Sequence, residues 1–171
     1  MIHPYQDKWP ALGEGVFLAE GSHVIGDVTV GEGASIWFNT VVRGDVFPIR
    51  IGRKTNIQDN CTIHVTGGVH AATIGDEVTV GHRVILHGCT VRRRALIGMG
   101  SVLLDGAEVG EESLIGAGSL VTPGTLIPPR VLALGSPCKV IRPLREEEIT
   151  GLALSAEHYF DLAQQYLLGR K

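Results

Sequence analysis

Aromatic side chains are scarce: four Phe, three Tyr and two Trp make up 5% of the 171 residues, so the core cannot be built on large rings. Cysteine is rarer still. Cys61, Cys89 and Cys138 are an odd number at spacings that fit neither a disulfide framework nor a CxxC pair, and a reducing cytoplasm is the expected compartment. No apolar run approaches the roughly 20 residues of a membrane-spanning helix. The first residues, with His3, Asp7 and Lys8, lack the apolar stretch of a secretory signal. Excess positive charge is absent too: a net charge of −3 and a pI near 6.1 give no electrostatic footprint for nucleic acid or an anionic membrane, and neither is expected as a partner. The one basic run, Arg92-Arg93-Arg94, reads as a solvated turn.

What the chain has is glycine, 23 of 171 residues, nearly twice the usual level of roughly 7%. An aliphatic residue precedes many of them: Val30-Gly31, Ile51-Gly52, Ile74-Gly75, Val80-Gly81, Ile97-Gly98, Val109-Gly110 and Ile115-Gly116. The commonest step between such aliphatics is six, which neither a helix nor simple strand alternation produces. A hexapeptide repeat does, with short strands, tight corners and every sixth side chain turned into a narrow interior. Three hexads per coil of a triangular prism predict stacked columns: Val30, Ile51, Ile74, Val91; Ile36, Ile57, Val80, Ile97; and Val42, Ile63, Leu86, Leu103. Insertions at corners absorb the long steps from Val42 to Ile51 and from Ile63 to Ile74, and the step from Leu86 to Val91 is one short. The fold expected is an all-β parallel β-helix of about seven coils over residues 16–140.

Beyond Pro143 the period changes. Ile149, Leu152, Ala156, Tyr159 and Phe160, Ala163, and Tyr166 and Leu167 recur at three or four, the apolar stripe of a helix. Glu146, Glu147 and Glu148 suit its N-terminal end, and Gly151 is a point where it would break or bend. The expected division is residues 1–143 as cap and β-helix and 144–171 as a helical segment packed on it, together one structural domain.

Three of the seven histidines fall inside the repeat. His64 follows Ile63 and His87 follows Leu86 in one column, so their imidazoles are expected on adjacent coils about 4.8 Å apart. Two ligands that close can share a metal. His82 follows Val80 by two and belongs to the preceding face, five residues and up to roughly 16 Å of chain from His87. A threefold trimer would instead bring His82 of one copy to the His64/His87 pair of the next. Arg43 shares that column with Asp45 beside it, and an Arg43–Asp pair across the subunit interface is expected. Asn56, Gln58 and Asp59 are expected to line the groove where subunits meet. His3, His23 and His158 read as surface residues, and His70 as a mobile loop residue able to carry protons.

The segments Val42-Arg43-Gly44-Asp45, Thr55-Asn56-Ile57-Gln58-Asp59-Asn60, Ile63-His64-Val65 and Val80-Gly81-His82-Arg83-Val84-Ile85-Leu86-His87-Gly88-Cys89 resemble the signature of the gamma-class carbonic anhydrase family. Ile97-Gly98-Met99-Gly100, Leu134-Gly135-Ser136-Pro137 and Ser155-Ala156 with Tyr159 extend the resemblance over nearly the whole chain. It implies a left-handed β-helix, a homotrimer, and zinc (iron or cobalt being alternatives) bound by His64 and His87 of one subunit and His82 of its neighbour. The reaction implied is reversible hydration of CO2 to bicarbonate through metal-activated water. Gln58 matches a residue that orients the activated water, Arg43 and Asp45 an interface pair, and Tyr159 a tyrosine near the pocket. Two departures stand out. Val46 replaces an acidic residue, and the loop Thr66-Gly67-Gly68-Val69-His70-Ala71-Ala72 has no carboxylate, leaving His70 as its one ionisable proton carrier and implying slow or buffer-dependent turnover. Two other functions fit the repeat: an acyltransferase or thioesterase acting on a CoA thioester, and a catalytically silent metal-binding trimer.

Overall fold

The computed structural model describes residues 1–169, so the last two residues of the expected 144–171 segment lie outside the described residues. Twenty short strands precede one helix among the described residues. All strand pairs but one are parallel, each coil pairing only with the coils above and below it. The six-residue arithmetic is reproduced residue for residue: Val30 pairs with Ile51, Ile51 with Ile74 and Ile74 with Val91. Ile36, Ile57, Val80 and Ile97 form the second column, and Val42, Ile63, Leu86 and Leu103 the third. The columns continue down to Leu12, Leu18 and Val24 and up to Ile127, Ala133 and Val121, so that only Leu12 lies outside the expected span of 16–140.

The interior is aliphatic because each column position is sealed: Ile36, Ile57, Ile63, Leu86, Ile97 and Leu103 are all 0% exposed. Each such burial contributes about 1.5–3 kcal/mol. Glycine follows the first column for a steric reason. A Cβ on Gly52 would lie 2.4 Å from the carbonyl carbon of Gly75 in the next coil, and one on Gly31 would lie 2.8 Å from that of Gly52. The corner insertion after Val42 takes an unexpected form. Val41–Ile51 is one eleven-residue strand that runs through the corner, pairing with Thr62–His64 at one end and Ala72–Ile74 at the other. It thereby joins two faces of the prism into a twelve-stranded sheet, and the third face is a separate sheet of eight strands.

Another corner is held by side chains in left-handed conformation. Lys54, Glu77, Arg94, Glu112 and Arg130 have φ between 50° and 60° and lie at equivalent positions of successive coils. Their charges alternate in sign. Arg94 pairs with Glu77 and, at 3.7 Å, with Glu112; Arg130 pairs with Glu112 at 3.8 Å and with Glu146 at 2.6 Å. The basic run is absorbed here and just beside it, with Arg92 on Glu108 and Arg93 on Glu77 and Glu111.

The helix α1 (Glu146–Leu168) is continuous, so it does not break at Gly151; the residue is exposed and no neighbour restricts it. Glu148 fixes its first turn, accepting from the Arg145 backbone N–H and from both arms of the Arg142 guanidinium. The helix lies along the outward row of the eight-stranded sheet. Ile149 and Leu152 pack with Leu96, Leu114 and Leu132, and Ala163 and Tyr159 with Phe17 and Trp37. Phe17, Trp37, Phe38, Tyr159 and Tyr166 gather at that far end, where Trp37 meets Phe17, Tyr159 and Tyr166 at 5.2–5.6 Å. The last strand, Cys138–Pro143, departs from the parallel plan and pairs antiparallel with Val131–Gly135. None of the described helices is long and apolar enough to cross a membrane.

Candidate metal centre

Alternation along the strands decides which way the histidines face. Ile63 and Leu86 point inward, so His64 and His87, next in each strand, point outward, and the parallel register sets them directly opposite. Their rings are 5.2 Å apart, with His64 Nδ1 3.2 Å from His87 Nε2. Each ring spends its other nitrogen on a carboxylate. His64 Nε2 lies 3.0 Å from Asp45 Oδ1, and His87 Nδ1 lies 2.7 Å from Asp105 Oδ1. A carboxylate only accepts, so those two nitrogens carry the protons. In the neutral rings, the nitrogens facing each other across 3.2 Å are then both lone pairs. Two converging lone pairs call for a cation between them. This donor chemistry fits a divalent metal of the kind imidazole favours.

The carboxylates are tuned accordingly. Burial pushes the Asp45 carboxyl up, but hydrogen bonds from His64 and Arg43 outweigh it and leave the group below the usual carboxylate range. Asp105 is also held low, first by the Thr66 hydroxyl, which donates to Oδ2 at 2.7 Å, and then by His87. Within the chain Arg43 pairs with Asp45, because residues two apart on the through-running strand share a face.

His82 stands apart on the eight-stranded face, half-exposed, with Nδ1 2.7 Å from Asp59 Oδ2. Among the described residues no three His, Cys, Asp or Glu side chains of one chain form a metal cage. His82 instead shares a groove of about 330 Å³ with Gln58, Ser155 and Tyr159. Gln58 is buried, donating to Asn56 Oδ1 at 3.2 Å, and Asn56 donates to Thr79 Oγ1 at 3.0 Å, which meets Ser155 of α1 at 3.3 Å. Asn56, expected to line a groove between subunits, is thus buried beneath the chain's own helix. Burial, with Asp59 adding to it, raises the Tyr159 phenol above its ordinary range.

His70 is not the mobile residue expected from its loop. Thr66 and His70 exchange backbone hydrogen bonds of 3.1 and 3.0 Å, closing a small hairpin. The side chain then rests over Gly88 and Gly106: a Cβ on Gly88 would lie 2.8 Å from the His70 Cβ, and one on Gly106 3.2 Å from the ring at Cε1. His3 and His23, read as surface residues, are half-buried, with Nε2 of one 3.1 Å from Nδ1 of the other and the rings stacked. Sequence reasoning missed Thr66, Asp105 and the role of Asp45. The one available signal was register: Leu86 pairs with Leu103, so Asp105 falls opposite Gly88, the residue after His87.

The stacked parallel coils make this a hexapeptide-repeat β-helix, and the family model for bacterial transferase hexapeptide (six repeats) matches residues 11–44. A carbonic anhydrase of Geobacillus kaustophilus (strain HTA426) is 51% identical over 97% of this chain and 91% of its own length. Mitochondrial gamma carbonic anhydrase 2 of Arabidopsis thaliana is 47% identical over 92% of this chain and 59% of its own. Among solved structures, a Bacillus cereus protein described as a candidate acetyltransferase superposes with a TM-score of 0.95 at 50% identity, covering 97% of this chain and 96% of that one. The chain belongs to the gamma carbonic anhydrase family.

Proposed function

We propose that the protein is a carbonic anhydrase, interconverting CO2 and bicarbonate as a homotrimer with one divalent cation, zinc, at each subunit interface. His64 and His87 of one copy and His82 of the next would hold it. The observation that carries this reading is the convergence of His64 Nδ1 and His87 Nε2 at 3.2 Å, with a carboxylate behind each ring at the opposite nitrogen. A cation bound there supplies Lewis-acid activation of water at neutral pH. The remaining work falls to the chain itself. Gln58, anchored through Asn56 and Thr79, offers its amide oxygen to orient the attacking water. His70, standing over Gly88 and Gly106 beside the site, passes the released proton to solvent. Val46 and Val69 are exposed where the family's acidic proton carriers are expected, so turnover depends on a mobile buffer.

The test is stopped-flow CO2 hydration by zinc-loaded protein across a series of imidazole concentrations, with His87→Ala as the control. A metal-dependent rate that climbs with imidazole is the expected result; no metal-dependent rate at any buffer concentration overturns the reading. The exposed valines favour one second reading, a silent metal-bridged trimer. In that case chelation would weaken the trimer while every hydration trace stayed blank.

A further inference from the structure

We propose that Asp105, braced by Thr66, is the positioning residue of the metal centre: it locks His87 in the Nδ1–H tautomer and so keeps its Nε2 lone pair turned toward His64 and the cation. This rests on the reading of His64 and His87 as metal ligands.

Three coils converge to build the contact. His87 ends the Ile85–His87 strand, Asp105 comes from the coil above it, and Thr66 opens the hairpin inserted after the strand below. The bonds run in sequence, Thr66 Oγ1 to Asp105 Oδ2 at 2.7 Å and Asp105 Oδ1 to His87 Nδ1 at 2.7 Å, so both carboxylate oxygens are committed. Backbone geometry clears the path. Any side chain on Gly88 would put its Cβ 2.3 Å from Asp105 Oδ1, and Gly88 sits at φ +55°, where a side chain is disfavoured anyway. The short step between Leu86 and Val91 therefore leaves an opening through which an aspartate one coil away reaches the ligand. The Thr66–His70 hairpin gains a purpose as well, since it delivers the hydroxyl that aims the carboxylate.

The physical argument is one of donor direction. A carboxylate can only accept, so it forces the proton onto Nδ1 and frees Nε2. An amide in its place offers an N–H₂ to Nδ1 whenever the Thr66 hydroxyl donates to the amide oxygen. That arrangement moves the ring proton to Nε2, onto the face where a metal must bind. Partners of this kind behind a ligating histidine typically change metal affinity by about 10–100-fold.

The experiment uses full-length protein labelled with ¹⁵N at histidine, at about pH 8, well above the ordinary imidazole pKa of about 6.5. Long-range ¹H–¹⁵N correlation of metal-free protein reads the tautomer, and competition with a chromophoric chelator reads Zn²⁺ affinity. In the parent protein His87 is expected as Nδ1–H. Asp105→Asn should shift it toward Nε2–H and weaken Zn²⁺ binding by about 10–100-fold. Thr66→Val should move both readouts in the same direction by less, and Asp45→Asn should leave the His87 tautomer unchanged. An unshifted His87 resonance together with Zn²⁺ affinity within about twofold of the parent in Asp105→Asn overturns the proposal. The two readings fail separately. Parent protein that binds no Zn²⁺ but loses the His87 Nδ1–H tautomer in Asp105→Asn keeps the positioning role and sinks the metal site; binding that is indifferent to Asp105→Asn does the reverse.

Discussion

The same added methyl group should have opposite effects at two glycines. At Gly52 a Cβ would meet the Gly75 carbonyl carbon and the Asp76 side chain at 2.4 Å and the Asp76 nitrogen at 2.5 Å. Ordinary contact needs about 1 Å more, and the nearest backbone belongs to the next coil, so the coils themselves would have to part. Overpacking of this sort costs about 1–3 kcal/mol. Parting also lengthens the Gly52 N–H bond to the Ile74 carbonyl, 2.8 Å in the native fold, which adds about 1 kcal/mol. Gly52→Ala is therefore expected to lose about 3–4 kcal/mol, the sum of those two costs near the upper end of the first. At Gly151, within α1, nothing lies within 4 Å of the new methyl, and replacing a helical glycine by alanine gains about 0.5–1 kcal/mol. Urea unfolding at a fixed protomer concentration, comparing midpoints at constant slope, measures both. The reasoning is refuted if Gly52→Ala falls within about 0.5 kcal/mol of the parent, a margin ordinary for surface changes. A loss at Gly151 would equally refute the open helix face.

Other expectations follow from the electrostatics. Burial pushes the Cys61 and Cys89 thiols up to about 12, so both should resist iodoacetamide in native protein at mildly alkaline pH and react only after unfolding, as mass spectrometry would reveal. The Glu148 carboxyl is held well below its ordinary 4.5, first by the Arg142 guanidinium and then by the Arg145 backbone N–H. A depressed folded value means its stabilisation is complete above the unfolded value and is lost as pH falls through 4.5 toward the folded one. Glu148→Gln should accordingly flatten the fall in melting temperature on acidification below that point. At the charged corner, Glu112 holds φ +54° for two ion pairs longer than 3.5 Å. Glu112→Gly trades about 1 kcal/mol of left-handed strain for those weak pairs, so its melting temperature should match the parent at low salt and exceed it in concentrated NaCl.

Much of this architecture was legible from spacing alone. Inward-facing aliphatics must recur at a fixed interval in a stacked prism, so Val42, Ile63, Leu86 and Leu103 announce a column from spacing alone, and that column sets His64 against His87. The limits lay at the corners. Asp105 lies one coil above the short step from Leu86 to Val91, and its reach to His87 depends on the missing side chain of Gly88 rather than on any interval. The Thr66–His70 hairpin is closed by backbone bonds that composition does not encode, so a glycine-bearing loop read as mobile is in fact tied. Gly151 misled in the opposite direction, because propensity penalises a glycine that packing and a well-capped first turn carry without a break. Asn56 was misplaced because nothing in its own segment says that Ser155, near the other end of the chain, lies above it.

The strand that reverses direction at the end of the eight-stranded sheet bears on how such a molecule stays in solution. Parallel, in-register rungs about 4.8 Å apart with identical aliphatic columns are also the plan of a fibre, which grows because its last rung templates the next. Cys138–Pro143 withholds that template: laid antiparallel on Val131–Gly135, it shows an incoming parallel rung the wrong hydrogen-bond pattern, with Lys139 and Arg142 along it and a proline at its end. On this sheet the stack is finished by a strand that the next copy cannot continue.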